Sequence, residues 1–202
     1  PLDLLQGYQP SLVTTVYADD RQPIGQFFIE RRTLTPLDHI PKTLTHAVIA
    51  TEDVRFFEHP GLDYIGILRA AWTNLRHGGK KVEGASTITQ QLARSLFLSA
   101  ERSYDRKLRE LILAYKMEAV STKEQILETY LNQIYFGQGS YGVASAAQSY
   151  FGKEIEKLTL AENCRMVRYR HPLAVACPRL RSVKWGYMPY NAILWGKQPP
   201  AL

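Results

Sequence analysis

From Pro41 to Tyr150 the apolar residues recur three and four positions apart, segment after segment, and that period commits the chain to packed helices. Pro41 suits a first helical position, and Leu44, Val48 and Ile49 supply a stripe behind it. Residues 63–76 predict a second helix with Ile65, Leu68, Trp72 and Leu75 on one face. A third is expected from about Thr87 to Phe97, and a fourth from about Ser103 to Val120. The fourth sets Tyr104, Leu108, Leu111, Ile112, Tyr115 and Ala119 on one face. Ser121 and Thr122 cap a fifth helix, Lys123 to about Tyr135. Gly137, Gly139 and Gly142 break it, and Val143–Tyr150 is a further short helix. Before Pro41 the period changes. Leu12, Val13, Val16 and Tyr17, a turn at Ala18–Pro23, and Ile24–Ile29 read as a β-hairpin. It is too small to stand alone and is expected to pack on the body. The fold class is mainly α with a short N-terminal β-hairpin.

Composition narrows the function. No apolar stretch approaches the length of a membrane span. The chain opens on Pro1 and not Met, as expected of a fragment or a processed product. The net charge of +6 is unevenly held. Residues 1–162 carry 18 Lys and Arg against 19 Asp and Glu, whereas residues 163–202 carry 7 Lys and Arg and no acid. The basic balance therefore belongs to the tail and is not a nucleic-acid footprint. Cys164 and Cys177 are too few for a disulfide scaffold or a four-cysteine zinc site. The chain lacks a dinucleotide fingerprint, a phosphate-binding loop, a paired-histidine zinc motif and a nucleophile-elbow serine.

Three segments carry chemistry. In Glu52–Gly61 a carboxylate closes an apolar helix beside Phe56 and Phe57. Partial desolvation there favours the protonated acid and suits a general base near neutral pH. Helical spacing continued past Glu52 places Phe56 and His59 on its side; the alternative is a helix end with solvated acids and a capping histidine. In Gly84–Gln91 a small, hydroxyl-rich segment opens a helix whose N-terminus favours an anionic group. Ser86 or Thr87 can equally be an N-cap, but Thr89, Gln90 and Gln91 inside the helix are not explained by capping. Third, Arg94, Arg102, Arg106, Lys107 and Arg109 follow within sixteen residues, and Glu110 stands four residues after Arg106. That pair shares a second face of the fourth helix with Leu113 and Met117, which places it either in a cleft or in an exposed i,i+4 ion pair. A carboxylate base, a second carboxylate and several cations fit displacement of an anionic leaving group from an activated sugar or acyl donor.

These motifs resemble the family 51 glycosyltransferases, the peptidoglycan glycosyltransferase module of class A penicillin-binding proteins. Four of the family's five motifs stand in order: Glu52-Asp53 with Phe56, His59 and Gly61; Gly84–Gln91; Arg106-Lys107 with Glu110; and Lys123 with Ile126-Leu127-Glu128 and Tyr130-Leu131-Asn132. The resemblance implies a lysozyme-like fold with a smaller membrane-proximal lobe, and polymerisation of lipid II with inversion and loss of undecaprenyl pyrophosphate. It implies that Glu52 is the base and Glu110 the second essential acid. Arg69, Ser86, Gln90, Arg94, Arg102 and Lys107 become substrate contacts, with Arg94 and Arg102 on the pyrophosphate. It implies no required cofactor, although a divalent cation (Mg or Mn) can assist at the pyrophosphate without a dedicated ligand set. The expected partners are lipid II, the growing glycan strand, the membrane surface on its extracytoplasmic, periplasmic side, and other cell-wall synthesis proteins; no nucleic acid is expected.

The domain reading is a β linker over residues 1–35, a catalytic domain over 36–162, and a basic tail over 163–202 outside the family pattern. The family's fifth motif is absent, and the match stops at Asn163, where the composition breaks. A frame-shifted or chimeric end explains both. Two other functions stay open: a lysozyme-like lytic hydrolase, which also uses paired carboxylates, and an inactive lipid-binding remnant.

Overall fold

The computed structural model describes residues 14–27, 30–79, 84–98 and 103–170. Arg102, the centre of the basic loop at 80–83, and Cys177 with the rest of the tail beyond 170 lie outside the described residues. The described chain is mainly α. Strands β1 (Thr14–Tyr17) and β2 (Pro23–Phe27) form the expected antiparallel hairpin, Thr14 opposite Phe27. The hairpin does not bury its apolar side chains as expected: Val16, Tyr17, Ile24 and Phe27 stay exposed. The chain enters the body instead through β3 (Arg31–Arg32), which runs parallel to β5 (Ser140–Tyr141), with β4 (Tyr135–Gly137) on the far side of β5. Arg32 is buried there, paired with Glu30 at 2.7 Å and set over the Tyr141 ring.

Seven helices follow among the described residues: α1 Lys42–Glu52, α2 Tyr64–Arg76, α3 Ile88–Phe97, α4 Tyr104–Val120, α5 Lys123–Gln133, α6 Val143–Phe151 and α7 Leu160–Arg170. Their starts are chemically marked. Asp63, Thr87, Ser103 and Thr122 each accept a backbone N–H of the first turn, and Thr122 with Gln125 makes a full capping box. α3 is the central element, packed against α4 and α5, while α7 closes the body against α1. The core draws Leu44 and Val48 from α1, Ile88 and Leu92 from α3, Met117 from α4, and Ile126, Tyr130 and Leu131 from α5. Each fully buried aliphatic contributes about 1.5–3 kcal/mol.

Two helices present an unexpected side. On α4 the inward residues are Glu110, Ala114 and Met117. The stripe expected to be core lies largely outside, with Tyr104 98% exposed and Leu108, Ile112 and Tyr115 also open. On α2 the apolar face predicted from spacing is present but uncovered: Leu68 is 71% and Trp72 63% exposed, with Ile65 and Leu75 similar. Leu96 and Phe97, by contrast, pack against the core.

The composition break at 163 does not end the body. α7 runs on to Arg170 with Asn163, Cys164, Met166 and Val167 buried. Arg165, on another side, stacks over the Phe151 ring. The apolar residues of this short run fall on one side of the helix, so it buries a face despite its arginines.

Candidate active site

α1 stops at Glu52. Asp53 leaves the helical region, and residues 54–60 turn back on themselves, so Glu52, Phe56 and His59 do not share a helix face as spacing suggested. Glu52 sits at the negative end of the helix dipole, where a carboxylate gains nothing for helix stability. Its Oε2 accepts a hydrogen bond from Gln91 Nε2 of α3 at 2.8 Å.

The turn behind Glu52 is fixed by three buried contacts. Asp53 accepts from His59 Nε2 at 2.9 and 3.0 Å and from the Ile88 N–H at 3.1 Å. Thr87 Oγ1 caps α3 by accepting from Gln90 N and donates to the Gly61 carbonyl at 2.6 Å. Gly61 has φ +86°, and a Cβ there would stand 3.1 Å from the Ala114 carbonyl oxygen, so only glycine fits between this turn and α4. The N-terminus of α3, expected to attract a ligand anion, thus already holds one: the chain's own Asp53 carboxylate.

Lys123, the first residue of α5, ties the same turn from the far side. Its Nζ donates to the His59 carbonyl and to Glu118 Oε1, both at 2.7 Å, and lies 4.5 Å from the Phe56 ring centre. Glu118 Oε1 also accepts from Thr89 Oγ1 at 2.6 Å. Phe56 is fully buried while Phe57 is exposed, so only one of the two rings walls the site.

A second carboxylate is linked through a lysine to Gln90, the residue before Gln91 on α3. Glu110 is 0% exposed, with Lys107 Nζ at 2.6 Å from Oε1 and Arg106 Nη1 at 3.6 Å from Oε2. The acid is buried, so this is not an exposed helix pair. Lys107 Nζ also donates to Ser86 Oγ and to Gln90 Oε1, both at 3.1 Å. Gln90 is 1% exposed, and its Nε2 is buried with no hydrogen-bond partner among the described residues. Ser86, Gln90, Lys107 and Glu110 therefore form one cluster, and Glu52 joins it through the adjacent residue, Gln91. Arg94 follows Gln90 by four residues on α3 and so lies on the same helix face, half-buried. Arg69 stands on the exposed side of α2.

Gln91, Tyr130, Asp53 and Glu118 were not expected as site residues. The polar pair Gln90-Gln91 inside an apolar helix was the available signal for the first. Among the described residues no three His, Cys, Asp or Glu side chains gather as a metal-ligand set. The carboxylates at hand are engaged by cations or N–H donors, so this donor set does not fit a resident divalent ion.

Packed helices thus set two carboxylates and a cation around one helix start. The transglycosylase family model matches residues 20–174, and the chain belongs to that family. Penicillin-binding protein 1A of Neisseria flavescens is 53% identical over 161 residues, which cover 80% of this chain and 20% of that protein. Penicillin-binding protein 1A of Rickettsia felis is 48% identical over 161 residues, covering 79% of this chain and 20% of the relative. That of Neisseria gonorrhoeae is 50% identical over 161 residues, with 80% and 20% covered. The chain thus spans about a fifth of the length of these relatives.

Proposed function

We propose that the chain is a peptidoglycan glycosyltransferase module that polymerises lipid II into glycan strands. The observation that carries this reading is the arrangement around α3. One carboxylate, Glu52, is tied to Gln91, and a second, Glu110, is tied through Lys107 to Gln90 and Ser86. Membership of the transglycosylase family supports it independently.

In the proposed reaction Glu52 takes the proton from the acceptor 4-hydroxyl. The hydroxyl oxygen attacks the anomeric carbon of the donor from the face opposite the leaving group, which inverts that centre. The bond from the anomeric carbon to the phosphate oxygen breaks, and its electron pair leaves with undecaprenyl pyrophosphate. Arg94, Arg102 and Lys107 offset the charge that develops on the departing oxygens. Lys107 is held by Glu110, which makes that acid a holder of the cation as well as a second acid of the site. A divalent cation enters, in this proposal, only as a companion of the substrate pyrophosphate. The exposed apolar face of α2 suits a protein that works against the extracytoplasmic membrane surface, where a lipid-linked donor resides.

The test is a polymerisation assay on lipid II with this chain. Long glycan products are expected, and Glu52→Gln should reduce their rate by about 100- to 10,000-fold. Cleavage of pre-formed glycan without polymer formation would instead establish a lytic enzyme.

A further inference from the structure

The two neighbouring glutamines of α3 serve different partners. Successive helical residues point about 100° apart. Gln90 faces α4 and Lys107, whereas Gln91 faces α1 and α5. Gln91 is buried at the junction of three helices, and its amide is read at both ends. Nε2 donates to Glu52 Oε2 at 2.8 Å and, more weakly, to the Ser86 carbonyl at 3.4 Å. Oε1 accepts from the hydroxyl of Tyr130 at 3.2 Å. Tyr130 is 1% exposed and belongs to the core, so its ring cannot swing away.

From this chain of contacts we propose that Gln91 and Tyr130 are positioning residues that aim the Glu52 carboxylate at the acceptor hydroxyl. The inference rests on the reading of Glu52 as the base. Its physical content is an orientation problem. A glutamine amide can rotate by half a turn, exchanging donor and acceptor ends with little change in shape. If it did so here, it would set its carbonyl oxygen against the Glu52 carboxylate. Glu52 and the Ser86 carbonyl, as acceptors, turn Nε2 towards themselves, and the Tyr130 hydroxyl then donates to Oε1 and anchors the amide in that orientation. The backbone beside Glu52 is held to the same helix start by Asp53 and the Ile88 N–H. The carboxylate is therefore located twice from α3, once through its main chain and once through its side chain. A base held in a single rotamer pays no orientation cost at the moment of proton transfer.

Two readouts separate positioning from mere packing. The first is the titration of the Glu52 side-chain carboxyl carbon by NMR in this chain, with the resonance assigned by its loss in Glu52→Gln. An N–H donor favours the ionised acid. In Gln91→Leu the midpoint should rise by about one pH unit relative to the parent, and in Tyr130→Phe by a smaller amount in the same direction. The other charged groups near the site, among them Asp53, His59, Lys107, Arg106 and Glu110, are unchanged in every variant, so the comparison is differential. The second is steady-state polymerisation. In Gln91→Leu, kcat should fall about tenfold, with KM within about twofold of the parent, as expected for loss of one hydrogen bond to a charged group. Tyr130→Phe keeps the buried ring and serves as the folded variant if the amide spectrum of Gln91→Leu departs from the parent. An unchanged Glu52 midpoint in a folded variant, or a loss carried by KM, overturns the proposal. Full activity of Glu52→Gln would sink the base assignment, and the titration would still decide whether Gln91 controls the acid.

Discussion

In the proposed reaction Arg94 and Lys107 would stabilise the leaving group in different ways. Lys107 is held by three oxygens, whereas Arg94 lies one helical turn further along the face that carries Gln90. Arg94→Met should therefore reduce the polymerisation rate by about 10- to 100-fold through weaker stabilisation of the departing pyrophosphate. Lys116→Met, on the exposed side of α4, is the control and should leave the rate within about twofold. Initial rates on lipid II measure both, and equal losses would reduce Arg94 to one cation of a solvated basic surface. At the same scale Asp63 shows how caps set charge. Burial pushes its carboxyl up, but hydrogen bonds from Arg55 and the Gly66 N–H outweigh burial and hold it below its ordinary value.

Among the elements, α7 has the most strongly perturbed cap. Glu162 accepts from Lys153 Nζ at 2.8 Å and from both the N–H and the hydroxyl of Thr159. The Lys153 bond and the Thr159 N–H together hold its carboxyl at about 2, against an ordinary 4.5. The folded value lies below the unfolded one. The contribution is therefore complete above pH 4.5 and is lost as the pH falls from there towards 2. Because Lys153 is largely solvated, the contribution is modest. Glu162→Gln should cost about 1 kcal/mol in chemical denaturation at pH 7 and progressively less below pH 4.5. A constant difference across that range would mean that the charge is not involved. The inward side of the same helix carries the larger energy. Met166 is fully buried, and Met166→Ala should destabilise the chain by about 2–5 kcal/mol, read as a lower denaturation midpoint. A near-neutral result would show that residues beyond 163 are not part of the packed body.

Over the whole molecule, apolar surface is left open where α2 presents Ile65, Leu68, Trp72 and Leu75. A row of large apolar side chains exceeds what scattered surface exposure explains and marks a contact surface. No helix among the described residues is long and apolar enough to cross a membrane; for the exposed face of α2 we propose an interfacial contact with a lipid surface. Leu68→Glu together with Trp72→Glu should lower co-flotation with anionic liposomes by at least about tenfold while leaving the circular dichroism spectrum unchanged. The corresponding change at Leu96 and Phe97 should instead unfold the chain, since both pack on the core. Unaltered flotation of the α2 variant would assign the face to another partner.

Periodicity and caps were enough to read six of the seven helices among the described residues; α7 escaped because the arginines of its short run mask the face that Cys164, Met166 and Val167 bury. Local hydrogen-bonding groups such as Thr87, Ser103 and Thr122 act within one turn, and their effect does not depend on distant residues. The motifs likewise singled out Glu52 and Glu110 as candidates, because a carboxylate in an apolar segment is unusual wherever it stands. What spacing could not determine was which face of a helix is covered. α4 carries two apolar-containing faces, and the one with Glu110 went inward because Lys107, Arg106 and the polar start of α3 satisfy its charge there. On α2 spacing identified the apolar face correctly but could not say that nothing in the described body covers it. The turn after Glu52 was decided the same way: Asp53, His59, Lys123 and the Ile88 N–H close it from three separate elements. Gln91 and Tyr130 stand 39 residues apart, as do Glu52 and Gln91, so no local pattern could pair them. Local chemistry set where each helix begins and ends. The burial of charge, which needs partners brought from elsewhere in the chain, was settled only by tertiary packing.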